Sequence, residues 1–179
     1  MGSTATLISL DEYLDTSYEP DMDFVDGVLV RRNVGTILHG ILQNIVGVFF
    51  AQYRKSHRIR ACTETRLRVD TSGVYRVPDV LVLEIPYKKG KAVTDVPAIV
   101  VEIKSPKDTF DEIVGRCFEY EKLGVRNILV MDPDNRRAWV FQHGNLQILT
   151  GLSIGLILPR QQLTIDFPFA QMFAELDED

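Results

Sequence analysis

Val77-Pro78-Asp79-Val80-Leu81-Val82-Leu83-Glu84-Ile85 and Ala98-Ile99-Val100-Val101-Glu102-Ile103-Lys104 are the two stretches that decide how this chain is read. Both are rich in β-branched residues and bounded by prolines, which predicts two strands. Side chains alternate along a strand, so Val100, Glu102 and Lys104 share one face while Ile99, Val101 and Ile103 take the other. Between the stretches lies a polar loop, Pro86 to Pro97, containing Lys88-Lys89-Gly90-Lys91. If the strands are antiparallel neighbours, their ends away from this loop coincide. Asp79 lies seven residues before Pro86, Glu102 five after Pro97 and Lys104 seven after it. Two carboxylates and an ammonium then converge on one point. Carboxylates suit a hard cation such as Mg²⁺ or Mn²⁺, and an ammonium beside it can orient a water or steady charge on phosphorus. The pattern suits metal-dependent phosphodiester hydrolysis. The competing reading is that Glu102 and Lys104 form a solvated surface pair of little energetic weight.

The surrounding chain predicts a mixed α/β sheet. Ser9 to Tyr13 carries a helix-start signal. Phe24 to Val30 reads as a hairpin turning at Asp26-Gly27. Leu38, Ile41, Leu42, Ile45, Val46, Phe49 and Phe50 recur at helical spacing, predicting a helix from Ile37 to Tyr53. Arg58 to Val69 alternates as one strand, with Arg66 and Arg68 on its polar face. Thr109-Phe110-Asp111-Glu112 is a capping box that opens a helix ending at Gly124. A strand from Asn127 to Met131 follows, closed by Asp132-Pro133-Asp134-Asn135. Two strands, Ala138–Gln142 and Leu146–Leu149, turn at His143-Gly144-Asn145, and Pro168 to Leu176 forms a short helix. The strand–helix–strand unit from Ile99 to Val130 predicts a crossover between parallel strands.

The 179 residues, 45% of them hydrophobic and 25% charged, suit a single domain (1–179) with a sizeable core. No apolar run is long enough to span a bilayer. Gly2 and Thr6 fit the loose myristoylation pattern, which is discounted because no second membrane signal lies nearby. Cys62 and Cys117 are far apart, which suggests reduced thiols and a cytoplasmic setting. His39, His57 and His143 lack metal-ligand spacing. The net charge of −5 is unevenly spread. Residues 1–26 hold seven acids and no base, whereas Arg31, Arg32, Arg54, Lys55, Arg58, Arg60, Arg66 and Arg68 face only Glu64 and Asp70. A local basic stretch speaks to partners where net charge does not. Arg31, Arg32, Arg66 and Arg68 are therefore the candidate DNA contacts.

This order of elements, with Pro-Asp and Glu-x-Lys on consecutive strands, resembles the PD-(D/E)xK nuclease superfamily. Within it the chain is most similar to the Uma-family restriction endonucleases. The resemblance runs over roughly residues 7 to 150. It is carried by Asp23-Phe24-Val25-Asp26-Gly27, His39, Pro78-Asp79-Val80-Leu81-Val82, Val101-Glu102-Ile103-Lys104-Ser105-Pro106, Tyr120, Gly124-Val125 and Val130-Met131-Asp132-Pro133. It implies a restriction-endonuclease-like core: a mixed central sheet flanked by helices, with an N-terminal hairpin and C-terminal strands. It also implies Mg²⁺-dependent (or Mn²⁺-dependent) DNA cleavage, often by a homodimer. By position, Asp79 and Glu102 become metal ligands and Lys104 the base or water-orienting group. Asp23 stands where relatives usually have Glu, as an additional acid of the site. His39 falls where relatives often carry His, with a packing or capping role as its alternative. Many relatives place a Lys in the following helix, where this chain has Arg116. A guanidinium does not readily act as a base, so Arg116 is expected to bind phosphate or pair with an acid. Three functions compete on the sequence: a metal-dependent endonuclease, a non-catalytic DNA-binding module, and an interaction protein with ordinary surface carboxylates.

Overall fold

The computed structural model describes residues 7–177, so Gly2 and Thr6 lie outside the described residues. Helix α1 (Leu10–Asp15) starts where Ser9 Oγ accepts the Glu12 N–H at 3.1 Å. Strands β1 (Met22–Val25) and β2 (Val28–Arg31) pair antiparallel. Asp26 and Gly27 between them both have positive φ, 49° and 87°, as a two-residue turn matched to strand twist requires. Helix α2 (Ile37–Gln52) is capped by Thr36, whose hydroxyl accepts the His39 N–H.

The expected continuous strand from Arg58 to Val69 is broken in two. β3 (Ile59–Thr63) ends at Glu64, whose φ of 45° turns the chain out of the strand. β4 (Leu67–Arg68) and β5 (Tyr75–Arg76) then join the N-terminal hairpin in a four-stranded sheet ordered β2-β1-β5-β4. Alternation of side chains marked both pieces as extended, but alternation cannot show that they belong to different sheets.

The main sheet is built on β6 (Val80–Glu84) and β7 (Ile99–Ile103), which pair antiparallel. Helix α3 (Phe110–Leu123) carries the expected capping box at Thr109 and Glu112, and stops at Gly124 with φ 103°. It leads to β8 (Asn127–Asp132), parallel to β7. β9 (Arg137–Gln142) and β10 (Asn145–Ile148) complete a six-stranded mixed sheet ordered β10-β9-β8-β7-β6-β3. A further hairpin, β11 (Ile154–Leu158) with β12 (Leu163–Phe167), was not foreseen from the sequence. Helix α4 (Phe169–Ala174) and a 3₁₀ turn (Glu175–Asp177) end the described chain.

The two faces of the sheet are covered as the strand period dictates. Val80, Val82, Ile99, Val101 and Ile103 pack with Leu42, Val46 and Phe50 of α2 and with Ile165, Phe167 and Phe173. Leu81, Leu83, Val100, Ile128 and Val130 pack with Ile113, Cys117 and Tyr120 of α3. β6 and β7 are buried along their whole length, so any polar group at their ends is held by a rigid apolar frame.

Candidate active site

The register of β6 on β7 pairs Val80 with Val101. Asp79, one step before Val80, therefore faces Glu102, one step after Val101. The juxtaposition is locked by the Ile103 N–H, which donates to Asp79 Oδ2 at 2.6 Å. Both carboxylates are buried, at 2% and 3% exposure. They open onto a cleft of about 250 Å³ between the two sheets and α3.

Each carboxylate is met by cations and donors. Asp79 Oδ1 accepts Arg32 Nη2 at 2.7 Å and lies 3.3 Å from His39 Nε2. Its backbone carbonyl accepts Gln43 Nε2 at 3.0 Å. Burial pushes the Asp79 carboxyl up, but the His39 hydrogen bond, the Arg32 and His39 charges and the Ile103 N–H outweigh it. They hold it below the usual carboxylate range. Glu102 Oε1 accepts the Tyr120 hydroxyl at 2.6 Å, and Oε2 lies 3.3 Å from Arg116 Nε. Burial raises the Glu102 carboxyl, Arg116 opposes, and the neighbouring Asp79 charge adds to the rise, leaving it above its ordinary value. The two acids of the site are thus pushed in opposite directions.

His39 is placed by the N-terminus of α2. Its Nδ1 lies 3.3 Å from Ser105 Oγ and its Nε2 faces Asp79. Burial lowers the imidazole, but the Asp79 hydrogen bond and charge overcome that, and it ends above its ordinary value. Asp23, 4% exposed, accepts the Val77 N–H at 3.0 Å and Arg76 Nη1 at 3.1 Å. Arg76 also forks onto both Glu119 oxygens at 2.6 Å. Asp108 accepts the Ser105 N–H and Asn33 Nδ2, both at 2.7 Å.

Of the residues the sequence singled out, the cleft gathers Asp79, Glu102, Asp23, His39, Arg116, Arg31 and Arg32. Lys104 does not line it. Its N–H extends the ladder by donating to Met131 O. Its half-buried amine makes a long 3.4 Å contact with the Ser105 carbonyl. The cation beside Glu102 is Arg116 instead. Arg32, expected as a DNA contact, pairs with Asp79. Arg66 is 9% exposed and fully engaged: it forks onto Asp21, donates to the Tyr13 and Thr16 carbonyls, and lies over the Tyr13 ring. A side chain so committed is a structural tie to α1 and is not free to take a phosphate. Arg68 sits on β4, outside the cleft. Tyr120 carried no chemical role in the sequence reading, although its place four residues after Arg116 put both on one helical face. Arg76, Glu119 and Asp108 gave no sequence signal.

Among the described residues no group of three or more His, Cys, Asp or Glu side chains is disposed to cage a metal ion. Mg²⁺ does not need a cage: one or two carboxylates with waters and substrate phosphate suffice. Six acids line the cleft, Asp23, Asp79, Glu102, Asp108, Glu112 and Glu119, against the four arginines Arg31, Arg32, Arg76 and Arg116 and the proton-favouring His39. The carboxylate oxygens of Asp79 and Glu102 are the donors in this cleft of the kind a hard divalent cation takes.

The mixed sheet, flanking helices and buried Asp–Glu pair at the end of adjacent strands define a restriction-endonuclease-like α/β protein. The chain belongs to the Uma2 family, described as "putative restriction endonuclease", whose model matches residues 10–166. Its fold is shared with a crystal structure of a "putative nuclease belonging to DUF820" from Anabaena variabilis. That likeness has a TM-score of 0.76 at 19% identity, covering 94% of this chain and 99% of that one. A cryo-EM structure of a DrdV–DNA complex aligns at a TM-score of only 0.40 and 15% identity, over 79% of this chain and 14% of that one. No curated protein matches the chain.

Proposed function

We propose that the protein is a Mg²⁺- or Mn²⁺-dependent DNA endonuclease whose metal ligands are Asp79 and Glu102. The observation that carries this reading is the Asp79–Glu102 pair, buried face to face at the open end of β6 and β7. Bound there, the ion would supply Lewis acidity toward a phosphodiester and its attacking water. The chain's own groups do the rest. Asp79 stays ionised because Arg32, His39 and the Ile103 N–H hold it so. Tyr120 fixes the Glu102 carboxylate by donating to Oε1, which leaves Oε2 toward the cleft and Arg116. Arg116 keeps its charge beside Glu102 and is suited to steadying negative charge on phosphorus. Lys104 lies two residues after Glu102 but outside the cleft lining, its amine in a long 3.4 Å contact with the Ser105 carbonyl. It is the group assigned to take or orient the water proton, a role that asks its side chain to turn toward the cleft; a guanidinium cannot take one. Asp23, held by Arg76, supports the acidic wall.

The test is single-turnover cleavage of plasmid DNA with Mg²⁺, Mn²⁺ or EDTA, alongside calorimetric titration with Mn²⁺. Asp79→Asn and Glu102→Gln are each expected to lose cleavage and most of the Mn²⁺ affinity. Lys104→Ala should keep Mn²⁺ binding and lose cleavage by a factor on the order of 10²–10⁴. Unchanged Mn²⁺ affinity in both carboxylate variants removes the metal assignment. A second reading, a DNA-binding module without cleavage, is favoured by the ion pairs that Arg32 and Arg116 already make with the two carboxylates. DNA binding with no cleavage in either metal would select it.

A further inference from the structure

Next to the acidic cleft lies a groove of about 420 Å³ with the opposite character. It is lined by Arg31, Arg32, Asn33, Val34, Pro106 and Lys107, three cations and no acid. The two depressions share Arg31, Arg32 and Asn33, so whatever occupies the groove continues directly to Asp79 and Glu102. Arg31 and Lys107 are exposed and make no ion pair among the described residues. The neighbouring acid, Asp108, is already committed to Asn33 and the Ser105 N–H.

The loop between β2 and α2 that forms one wall is pinned twice, by Arg32 on Asp79 and by Asn33 on Asp108. This anchored loop nevertheless presents Val34 at 67% exposure, and Ile37, the first residue of α2 just after it, is 82% exposed, the highest value among the large apolar residues described. Single exposed apolar residues need no explanation. One on an anchored loop and one at the helix start that follows it, near the unpaired Arg31 and Lys107 beside a candidate nuclease cleft, do.

We propose that this loop, with the start of α2, is the element that docks duplex DNA: the groove takes backbone phosphates on Arg31 and Lys107, and Val34 with Ile37 presses between base pairs and unstacks them. Charge complementarity selects this occupant. A phosphodiester backbone matches an acid-free groove, and apolar wedges flanked by cations are a general means of opening a base step. A second copy of the chain fits less well, because a two-fold contact brings the same patch to itself and sets cations against cations. The proposal rests on the endonuclease reading for its partner, and adds how that partner is held and deformed.

The experiment uses duplexes carrying 2-aminopurine at successive positions, in EDTA so that no cleavage occurs. Its fluorescence rises when the base leaves the stack. Wild type is expected to bind and to brighten the probe at a defined step. Val34→Ser/Ile37→Ser should bind with the same salt dependence and lose the brightening. Arg31→Ala/Lys107→Ala should flatten the slope of log K against log salt by about 1.8, two phosphate contacts' worth. The loop proposal is overturned if wild type binds duplex and no probe brightens, if the serine variant brightens as wild type does, or if the slope is unchanged. It also falls if, without DNA, sedimentation shows a wild-type dimer that Val34→Ser/Ile37→Ser converts to monomer. Failure of wild type to bind duplex at low salt sinks the DNA reading itself. The substitutions are at exposed positions, and unchanged melting of both variants confirms that they fold.

Discussion

Asp79 and Glu102 face each other at the end of two paired strands and are driven apart in acidity by what touches them. Asp79 has two cationic partners and a backbone donor, whereas Glu102 has a neutral phenol and one arginine under heavy burial. His39 belongs to the Asp79 side, and its consequence is measurable. Its protonated form is favoured in the fold, so it binds a proton more tightly folded than unfolded. The resulting stability is full below the unfolded value near 6.5 and is lost as pH rises through the higher folded value. His39→Gln should therefore destabilise most at about pH 5.5 and converge toward wild type above neutrality. Urea titrations across that range read the difference, and a pH-independent gap would show that His39 acts by packing alone. Arg66 illustrates a different fate for a cation. With its guanidinium tied to Asp21 and to two α1-end carbonyls, Arg66→Ala strands a half-buried carboxylate. It should cost about 3 kcal/mol in a denaturation experiment, without changing the salt slope of DNA binding. A shallower slope with unchanged stability would restore Arg66 to the DNA interface.

β6 and β7 form the frame of the site because hydrogen bonding and packing fix their register together. A one-residue slip would move Asp79 off Glu102 and turn both faces inside out. α3 supplies Arg116 and Tyr120 to the same carboxylate because residues four apart lie on one side of a helix. The β11–β12 hairpin is fastened to this frame by polar bolts more than by sequence continuity. Asn127 at the start of β8 donates to the Ala98 and Ile157 carbonyls and accepts the Ile157 N–H. Glu84 at the end of β6 accepts the Arg160 and Gln161 N–H groups. Asn127→Ala takes a partner from the buried Ala98 carbonyl and from the more exposed Ile157 N–H and carbonyl, and is expected to cost about 1–3 kcal/mol. Proteolysis should then cut first within residues 149–167. Equal protection of that segment in wild type and variant would show that the apolar contacts of Leu156, Leu158, Ile165 and Phe167 hold the hairpin unaided.

The proposed metal site would couple ion binding to the stability of the whole molecule. An ion bound to folded Asp79 and Glu102, and not to the unfolded chain, stabilises by about 2.7 kcal/mol at a hundredfold excess over its Kd. Mn²⁺ should raise the melting temperature of wild type and leave that of Asp79→Asn unmoved; equal shifts in both would place the ion elsewhere. No helix of the described residues is long and apolar enough to cross a membrane, in line with the absence of a long apolar run in the sequence.

Periodicity, turn chemistry and caps were enough to read the hairpin at Asp26-Gly27, α2, the capping box and stop of α3, and the β6–β7 pair with Asp79 and Glu102 at one end; the register that sets Asp79 opposite Glu102, and not Lys104, came from the structure. These features depend on local sterics and on strand alternation, and a sequence displays both directly. The break at Glu64, the splitting of the arginine-rich stretch between two sheets and the β11–β12 hairpin were not legible. Local pattern marks a residue as extended or turning but does not name the sheet it joins. The partners of the charged groups were hidden for the same reason. Arg32 reaches Asp79 across 47 positions, Arg76 reaches Glu119 across 43, and Arg66 reaches Asp21 across 45. Charge counts treat such arginines as a free basic patch. Folding neutralises some of them against distant carboxylates and leaves others, such as Arg31 and Lys107, facing solvent beside the cleft. Which fate each meets is set by long-range packing.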